Sequence, residues 1–107
     1  MSNKWFTAEY IELCKNLKLQ KLVKSKKIHI FSGDQLDEEI IKICKKKDWD
    51  TFWYTFEINW HRNYTAKIEY YNDLIRVEHL KNQISSYEEN SNPLICKLKL
   101  LLELLIL

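Results

Sequence analysis

Glycine and proline are almost absent from this sequence, whose 107 residues include one of each, Gly33 and Pro93. A loop that cradles phosphates needs several glycines so that backbone amides can approach the phosphate oxygens, and this excludes a nucleotide-binding loop. The sequence also has no H-E-x-x-H zinc motif, no G-x-S-x-G nucleophile elbow and no Cys/His pattern with zinc spacing. We therefore predict that the protein is not an enzyme and has no catalytic residues, no cofactor and no metal.

Arginine is also scarce, with two among the seventeen basic residues, and the formal net charge is only +2. Because arginine is the preferred side chain for reading bases and phosphates, this lysine bias disfavours nucleic acid as a partner. The most apolar stretch, residues 94–107, has fourteen residues, three of them charged, whereas a membrane span needs about 20 apolar residues. The N-terminus has no apolar signal-peptide core. These features predict a cytoplasmic protein that does not enter a membrane.

The three cysteines, Cys14, Cys44 and Cys96, are odd in number and far apart, and no pair has C-x-x-C spacing. Each has apolar neighbours in a segment that reads as helix. Since unpaired cysteine is among the most buried residue types, we predict small core side chains and not reactive thiols.

The chain is rich in apolar and aromatic side chains, at 46% and 13% of the residues, which suits a single domain over residues 1–107. Helical spacing predicts a first helix after a Thr7 cap, with a bend or break near Asn16. A second helix is predicted from an Asp34 cap to lysines 45–47, an order of charges that complements the helix dipole. Its apolar stripe comprises Leu36, Ile40, Ile43 and Cys44. Between these helices, residues 28–31 predict a short strand.

After Asp48 the apolar period changes from 3.6 residues to 2, which indicates β-structure. The sequence DWDTFWYTFEINW alternates, a polar connection follows at residues 61–63, and residues 64–71 alternate again. Two such runs predict an antiparallel hairpin from Trp49 to Tyr71. Its predicted core row comprises Phe52, Tyr54, Phe56, Ile58 and Trp60. The fold class that follows is α+β, a small antiparallel sheet built on this central aromatic hairpin and packed against two to four helices.

The last third of the sequence leaves alternatives open. Residues 74–79 suit either a strand or the start of a helix capped by Asp73, and we expect a strand followed by a short helix from Leu80. Residues 85–92, SSYEENSN, predict a loop. Asn92 and Pro93 then suit the cap and first position of a final helix, although residues 94–107 also alternate as a strand would. This apolar end must dock, either on the domain itself or on a partner, which includes a homodimer formed through the C-terminal segment.

A set of residues remains for function once the core is assigned. Large aromatics on the other row of the hairpin suit either packing under one of the helices or a binding surface, because tryptophan and tyrosine are enriched at interface hot spots. The neighbouring acids suit a cationic partner, and the hairpin connection suits a carboxylate or phosphate. The predicted partner-binding residues are Asp48, Trp49, Asp50, Trp53, His61, Arg62, Asn63 and Tyr71.

Two segments, SGDQLDEEIIKICKKKD and DWDTFWYTFEINW, place an acid-started helix before an aromatic strand. In this make-up the chain resembles the immunity proteins of bacterial contact-dependent growth inhibition and related polymorphic toxin systems. The resemblance implies a small cytosolic protein that binds and neutralises a cognate protein toxin, often a nuclease. It assigns no role to any particular residue.

A second function from a different class is a single-stranded nucleic-acid-binding or regulatory protein. Strand aromatics would stack on bases and the N-terminal lysines would follow the phosphates. The near-neutral charge and the scarcity of arginine count against it, so a protein partner is the leading expectation.

Overall fold

A computed structural model describes residues 4–23, 27–47, 51–59, 62–71 and 83–106. Within these ranges the elements are α1 (Ala8–Cys14), α2 (Leu17–Gln20), α3 (Gly33–Lys46), β1 (Thr51–Ile58), β2 (Tyr64–Tyr71), β3 (Gln83–Asn90) and α4 (Pro93–Ile106). The strands form one antiparallel sheet in the order β1-β2-β3. The α+β class, with a small sheet packed against helices, is thereby confirmed.

The most apolar segment of the sequence forms the helix at the centre of this fold. The buried residues of α4 are Leu94, Ile95, Cys96, Leu98, Leu100, Leu101 and Leu104. Because they lie around most of its circumference, α4 contacts β2 and β3 on one side and α1, α2 and α3 on the other. The helical prediction for this segment is confirmed over the strand alternative, and the apolar end docks on its own domain. None of the helices in the described ranges has the length and hydropathy needed to cross a bilayer.

Asn92 starts α4 and also ties it to the N-terminus of the chain. Its side-chain oxygen accepts hydrogen bonds from the backbone amides of Leu94 at 2.9 Å and Ile95 at 3.3 Å, which is the predicted cap. Its amide nitrogen donates to the carbonyl of Trp5 at 3.0 Å, and the residue is 6% exposed. One buried amide therefore satisfies groups at both ends of the chain.

The predicted hairpin is present, with β1 and β2 paired from Thr51–Tyr71 to Ile58–Tyr64. Ala66 and Ile68 of β2 are buried, and the partly buried side chains of Phe52, Tyr54 and Phe56 pack against the same core. The prediction that Ile58 belongs to this core row is wrong, since its side chain is 58% exposed.

The third strand lies where the sequence predicted other structures. Residues 85–90, predicted as a loop, belong to β3, and so does Ile84, which was predicted to be helical. The predicted strand at residues 74–79 and the start of the helix at Leu80 fall outside the described residues. β3 is polar and has little strand propensity of its own, but its backbone pairs with β2 from Gln83 to Asn90. Pairing with β2 here outweighs the low strand propensity of the β3 residues themselves.

The prediction of a strand at residues 28–31 is also wrong, because this extended segment has no strand partner in the described parts of the chain. The side-chain amide of Gln20 takes the place of a strand partner. It accepts from the backbone N–H of His29 at 2.9 Å and donates to the carbonyl of His29 at 3.0 Å. The hydroxyl of Tyr10 donates to the carbonyl of Phe31 at 2.7 Å. Side chains of α1 and α2 thus satisfy a backbone that would otherwise need a sheet.

The helix starts and the break near Asn16 follow from local capping. Thr7 caps α1 as predicted, α1 ends at Cys14, and Asn16 caps α2, which confirms the break. For α3 the cap is Ser32 and not Asp34. Ser32 accepts from the amide of Gln35 at 3.2 Å, and Gln35 accepts in return from the amide of Ser32 at 3.0 Å. This reciprocal capping box satisfies two amides that Asp34 alone would not.

Replacing Asn92 by alanine should lower the free energy of unfolding by about 2 kcal/mol. The variant loses a helix cap and leaves the buried carbonyl of Trp5 without its donor. Asn92→Asp keeps an oxygen that can cap the helix, so it should lower the free energy of unfolding by less than Asn92→Ala does. Urea denaturation of the three proteins tests this. Equal stability of wild type and Asn92→Ala would contradict the role given to this side chain.

Candidate functional site

The outer face of the sheet, which we define by the odd-numbered residues 53–57 and 65–69, is opposite the face on which the helices pack. On it Trp53 pairs with Glu69, Thr55 with Lys67 and Glu57 with Thr65. Trp53 is 48% exposed although it lies within a strand. An aromatic ring of this size on an outward-facing row gives the surface a large apolar contact.

Charged side chains surround this tryptophan. Lys67 and Glu69 form an ion pair on the same strand, with the ammonium nitrogen 3.1 Å from a carboxylate oxygen. Glu57 is exposed on β1. An exposed ring bordered by polar and charged groups is the usual composition of a protein-binding patch, in which the ring contributes most of the energy and the charges orient the partner.

The hairpin connection is held by its own backbone and by asparagine side chains. The amide of Asn63 donates to the side-chain oxygen of Asn59 at 3.0 Å, and the amide of Asn59 donates to the carbonyl of Asn63 at 2.8 Å. Arg62 has a φ of 63°, in the left-handed region that non-glycine residues rarely adopt. Its side chain is exposed at the tip of the turn. The backbone amide of Asn63 closes the turn and so is not directed at an anion.

The predicted partner-binding residues do not converge on one compact site. Trp53 lies near the start of β1, and the backbone of Tyr71 lies beside Thr51 at the same end. Arg62 and Asn63 lie at the other end of the hairpin, which is about 17 Å away over five residues of strand. Asp48, Trp49, Asp50 and His61 lie outside the described residues. Of this set the structure therefore places Trp53 and the backbone of Tyr71 at one end of the hairpin, and Arg62 and Asn63 at the other.

A polar cluster that the sequence did not indicate joins α3, β1 and α4. The hydroxyl of Tyr54 donates to Asp37 at 2.7 Å, and the ammonium nitrogen of Lys97 lies 3.1 Å from each of the two carboxylate oxygens. Lys97 also lies 4.3 Å from the centre of the Phe56 ring. Burial, and then the hydrogen bond to Asp37, raise the pKa of Tyr54 far above its usual range. Tyr54 is thus a neutral donor, and the polar groups of the cluster bind one another.

Two carboxyl groups meet between the sheet and the central helix. Glu88 of β3 forms a hydrogen bond with Glu103 of α4. Burial, followed by the hydrogen bond and the charge of Glu103, raises the pKa of Glu88 to about 7, and the nearby Lys99 opposes this shift. Glu88 therefore holds its proton to near neutral pH, because ionising it would place a charge in a partly buried position beside another carboxyl group. The sequence carries no sign of it, since Glu88 fell in a predicted loop.

The three cysteines are all buried, as predicted. Burial raises the pKa of both Cys44 and Cys96 to about 11, and the charge of Glu88 adds to the effect at Cys96. The sulfur of Cys96 lies 3.4 Å from the carbonyl oxygens of Tyr64 and Glu88. These two thiols stay protonated at neutral pH and pack as small apolar groups, which is unlike a nucleophile.

Elsewhere on the described surface there is a shallow apolar groove of about 480 Å³. It lies between α2 and the end of α4 and is lined by Asn16, Leu17, Lys18, Leu102 and Ile106. Leu17 and Ile106 are strongly exposed at its border. No group of three or more metal-ligating side chains occurs among the residues whose positions are described.

Comparison with known proteins identifies no relative: no family model matches the sequence, and no curated protein and no solved structure matches it.

The Glu88–Glu103 pair should make stability fall as pH rises. The pKa of Glu88 in the folded protein, about 7, is above its ordinary value of 4.5, so the folded state holds this proton more tightly than the unfolded state does. The resulting stabilisation is complete below about pH 4.5 and is lost as pH rises to about 7. Glu88→Gln, which cannot ionise, should therefore be more stable than wild type at pH 8.

Urea denaturation between about pH 5 and pH 8 measures this effect, with Glu57→Gln as the control because Glu57 is an exposed carboxylate on the same sheet. The control should follow the wild-type pH dependence. A Glu88→Gln variant that is less stable than wild type at pH 8 would contradict the raised pKa of Glu88.

Tyr54→Phe should lower the free energy of unfolding by about 1–2 kcal/mol, because it removes the donor to Asp37 without changing the ring. Thermal and urea denaturation measure the loss. Unchanged stability would show that the contact between β1 and α3 does not stabilise the fold.

Proposed function

We propose that this chain is a cytoplasmic binding protein that recognises a protein partner through the outer face of its sheet. The observation that carries the proposal is the exposed ring of Trp53, 48% accessible on the sheet face that the helices leave uncovered. Exposed tryptophans are the side chains whose truncation most often weakens protein interfaces.

The distribution of the other aromatics supports this choice. Phe52, Tyr54 and Phe56 turn toward the core, and the ring of Phe56 stacks on Tyr64 with centroids 5.6 Å apart. Side chains used in this way cannot stack on nucleic-acid bases. The nucleic-acid alternative requires several strand aromatics that can stack on bases. On the described outer face only Trp53 is available for this, which favours the protein-binding proposal.

The polar groups of the interior also support a binding role. Tyr54 is neutral and bonded to Asp37, and the thiols of Cys44 and Cys96 are protonated. Burial in the core or a hydrogen bond accounts for the position of each of these groups. On the outer face, in contrast, about half of the Trp53 side chain is accessible to a partner.

The narrower form of the proposal is an immunity protein that neutralises a cognate toxin. It rests on the resemblance of the acid-started helix and aromatic strand to that class. Blocking a toxin requires surface complementarity alone and no catalytic group, which is compatible with a small domain that offers one aromatic patch.

Trp53→Ala should weaken partner binding by about thirtyfold, which corresponds to a hot spot of about 2 kcal/mol. Immobilised wild type and variant are exposed to lysate of the encoding organism, and captured proteins are quantified by mass spectrometry. Leu17→Ala is the matched control, because it removes an exposed apolar side chain, 77% accessible, on the helical side of the molecule. A partner retained equally by all three proteins would contradict the proposal, and so would a Trp53→Ala variant that unfolds.

The immunity form has a separate test in growth protection. The chain is co-expressed with the toxic domain encoded beside its own gene, and survival is compared for wild type, Trp53→Ala and Leu17→Ala. We expect protection from wild type and Leu17→Ala and loss of protection with Trp53→Ala. Binding without protection would keep the protein-binding proposal and exclude an immunity role.

A further inference from the structure

The first strand lies at an edge of the sheet and lacks the features that usually protect an edge. No strand of the described residues lies on the side of β1 away from β2. Natural edge strands are commonly short or carry proline, lysine or a bulge, each of which discourages further pairing. β1 has eight residues, TFWYTFEI, with Glu57 as its one charge and none of these devices. Such an edge is a template for another strand.

The hairpin end shows which backbone groups of β1 face this open side. The amide of Asn59 donates to the carbonyl of Asn63, so these two residues form a hydrogen-bonded pair. Hydrogen-bonded and non-hydrogen-bonded pairs alternate along an antiparallel ladder, and the odd-numbered residues of β1 therefore bond to β2. It follows that the N–H and C=O groups of Tyr54 and Phe56 point away from β2, toward the open side.

Two exposed apolar side chains flank the same edge. Trp53 is 48% exposed on the outer face, and Ile58 is 58% exposed on the helix-bearing face. Because the two lie on opposite faces, no single helix or loop on one face of the sheet would cover both. A strand added beside β1 would approach both, since its side chains alternate between the two faces.

We propose that β1 pairs with β1 of a second copy of this chain, antiparallel and about a twofold axis at Thr55. In this register Tyr54 of each copy lies opposite Phe56 of the other, so the outward amides and carbonyls of both residues are satisfied. The two three-stranded sheets become one continuous sheet of six strands, which is a common size for a sheet in a globular protein.

The sequence of β1 fits this register. The one charged residue, Glu57, lies opposite Trp53 of the second copy and not opposite another glutamate, so no like charges face each other. Ile58 lies opposite Phe52, which covers an exposed aliphatic side chain with an aromatic one. Pairing about Thr55 aligns the seven residues from Phe52 to Ile58 of the two copies. An axis at Tyr54 would also align seven residues, but it would leave Ile58 without a counterpart in β1.

The dimer would place both Trp53 rings on one continuous outer face. They would be four residues apart along the strands, or about 14 Å between Cα atoms. A partner that meets this face would contact two copies of the aromatic patch. The dimer does not depend on the proposed function, because it uses the edge of the sheet and is measured with no partner present.

Mass measurement by analytical ultracentrifugation tests the pairing, from about 1 µM to about 500 µM protein. We expect wild type to form a dimer and Thr55→Glu to raise its dissociation constant at least about tenfold, because two carboxylates would face each other across the axis. The new carboxylate lies beside Lys67 in the monomer, which favours a folded variant. Thr55→Val is the control and should stay dimeric.

A disulfide test is independent of how Thr55→Glu folds. Residues at the axis form a non-hydrogen-bonded pair with Cα atoms about 4.5 Å apart, within the range of a disulfide. Thr55→Cys should therefore be linked into a dimer by oxidised glutathione. Glu57→Cys should not be linked, because residue 57 of one copy would lie four residues along the strand from residue 57 of the other. Wild type should remain unlinked, since its three cysteines are buried.

Three results would overturn the pairing. The first is a wild-type protein that is monomeric at the highest concentration. The second is a dimer that Thr55→Glu leaves intact and Leu17→Glu disrupts, which would assign self-association to the apolar groove at α2 and α4. The third is linkage through Glu57→Cys and not Thr55→Cys, which would place the axis elsewhere.

Discussion

The packing of α4 is the constraint on which the rest of this structure depends. An apolar helix with buried residues around most of its surface cannot lie at the periphery of a small domain, because its second side would then face water. It must lie between two layers. Here one layer is the sheet, met through β2 and β3, and the other is formed by α1, α2 and α3. Among the described elements the helices consequently lie on one face of the sheet, and on its other face Trp53 is 48% exposed whereas Thr65 is buried.

The polar residues along α4 and at its start connect it to the elements around it. Asn92 reaches Trp5, Lys97 reaches Asp37, and Cys96 and Glu103 reach the backbone and side chain of Glu88. A polar group in an apolar layer needs a partner, so each of these contacts also fixes the direction in which the helix is rotated. The polar groups of the interior therefore orient the helix, whereas the ring of Trp53 is exposed on the outer face.

Local periodicity predicted much of the fold, because the information lies within a few residues. The helices capped by Thr7 and Asn92 and the hairpin of β1 and β2 were all predicted in this way. The failures have a common cause in partners that are distant in sequence. Residues 85–90 became a strand through pairing with β2, and residues 28–31 found their hydrogen bonds in the side chains of Gln20 and Tyr10.

The candidate site was predictable only in part. The alternation of β1 places Trp53 on the row opposite Phe52 and Tyr54, but it left open whether this ring is exposed or packs under a helix; the structure leaves it 48% exposed. Trp53 and Arg62 lie at opposite ends of β1 and its turn, and their separation follows from the length of the strand. Choosing residues by type alone did not take this separation into account. The Glu88–Glu103 and Asp37–Lys97 contacts join residues that are fifteen or more positions apart in the chain, so no local spacing in the sequence could reveal them.

Amide hydrogen exchange measured residue by residue tests directly whether the edge of the sheet at β1 is open. In dilute protein, the amides of Thr55 and Glu57, which bond to β2, should exchange at least about tenfold more slowly than those of Tyr54 and Phe56. In concentrated protein, the amides of Tyr54 and Phe56 should become protected as well. Strong protection of Tyr54 and Phe56 at the lowest concentration would contradict the open edge, because it would show that the chain itself covers it.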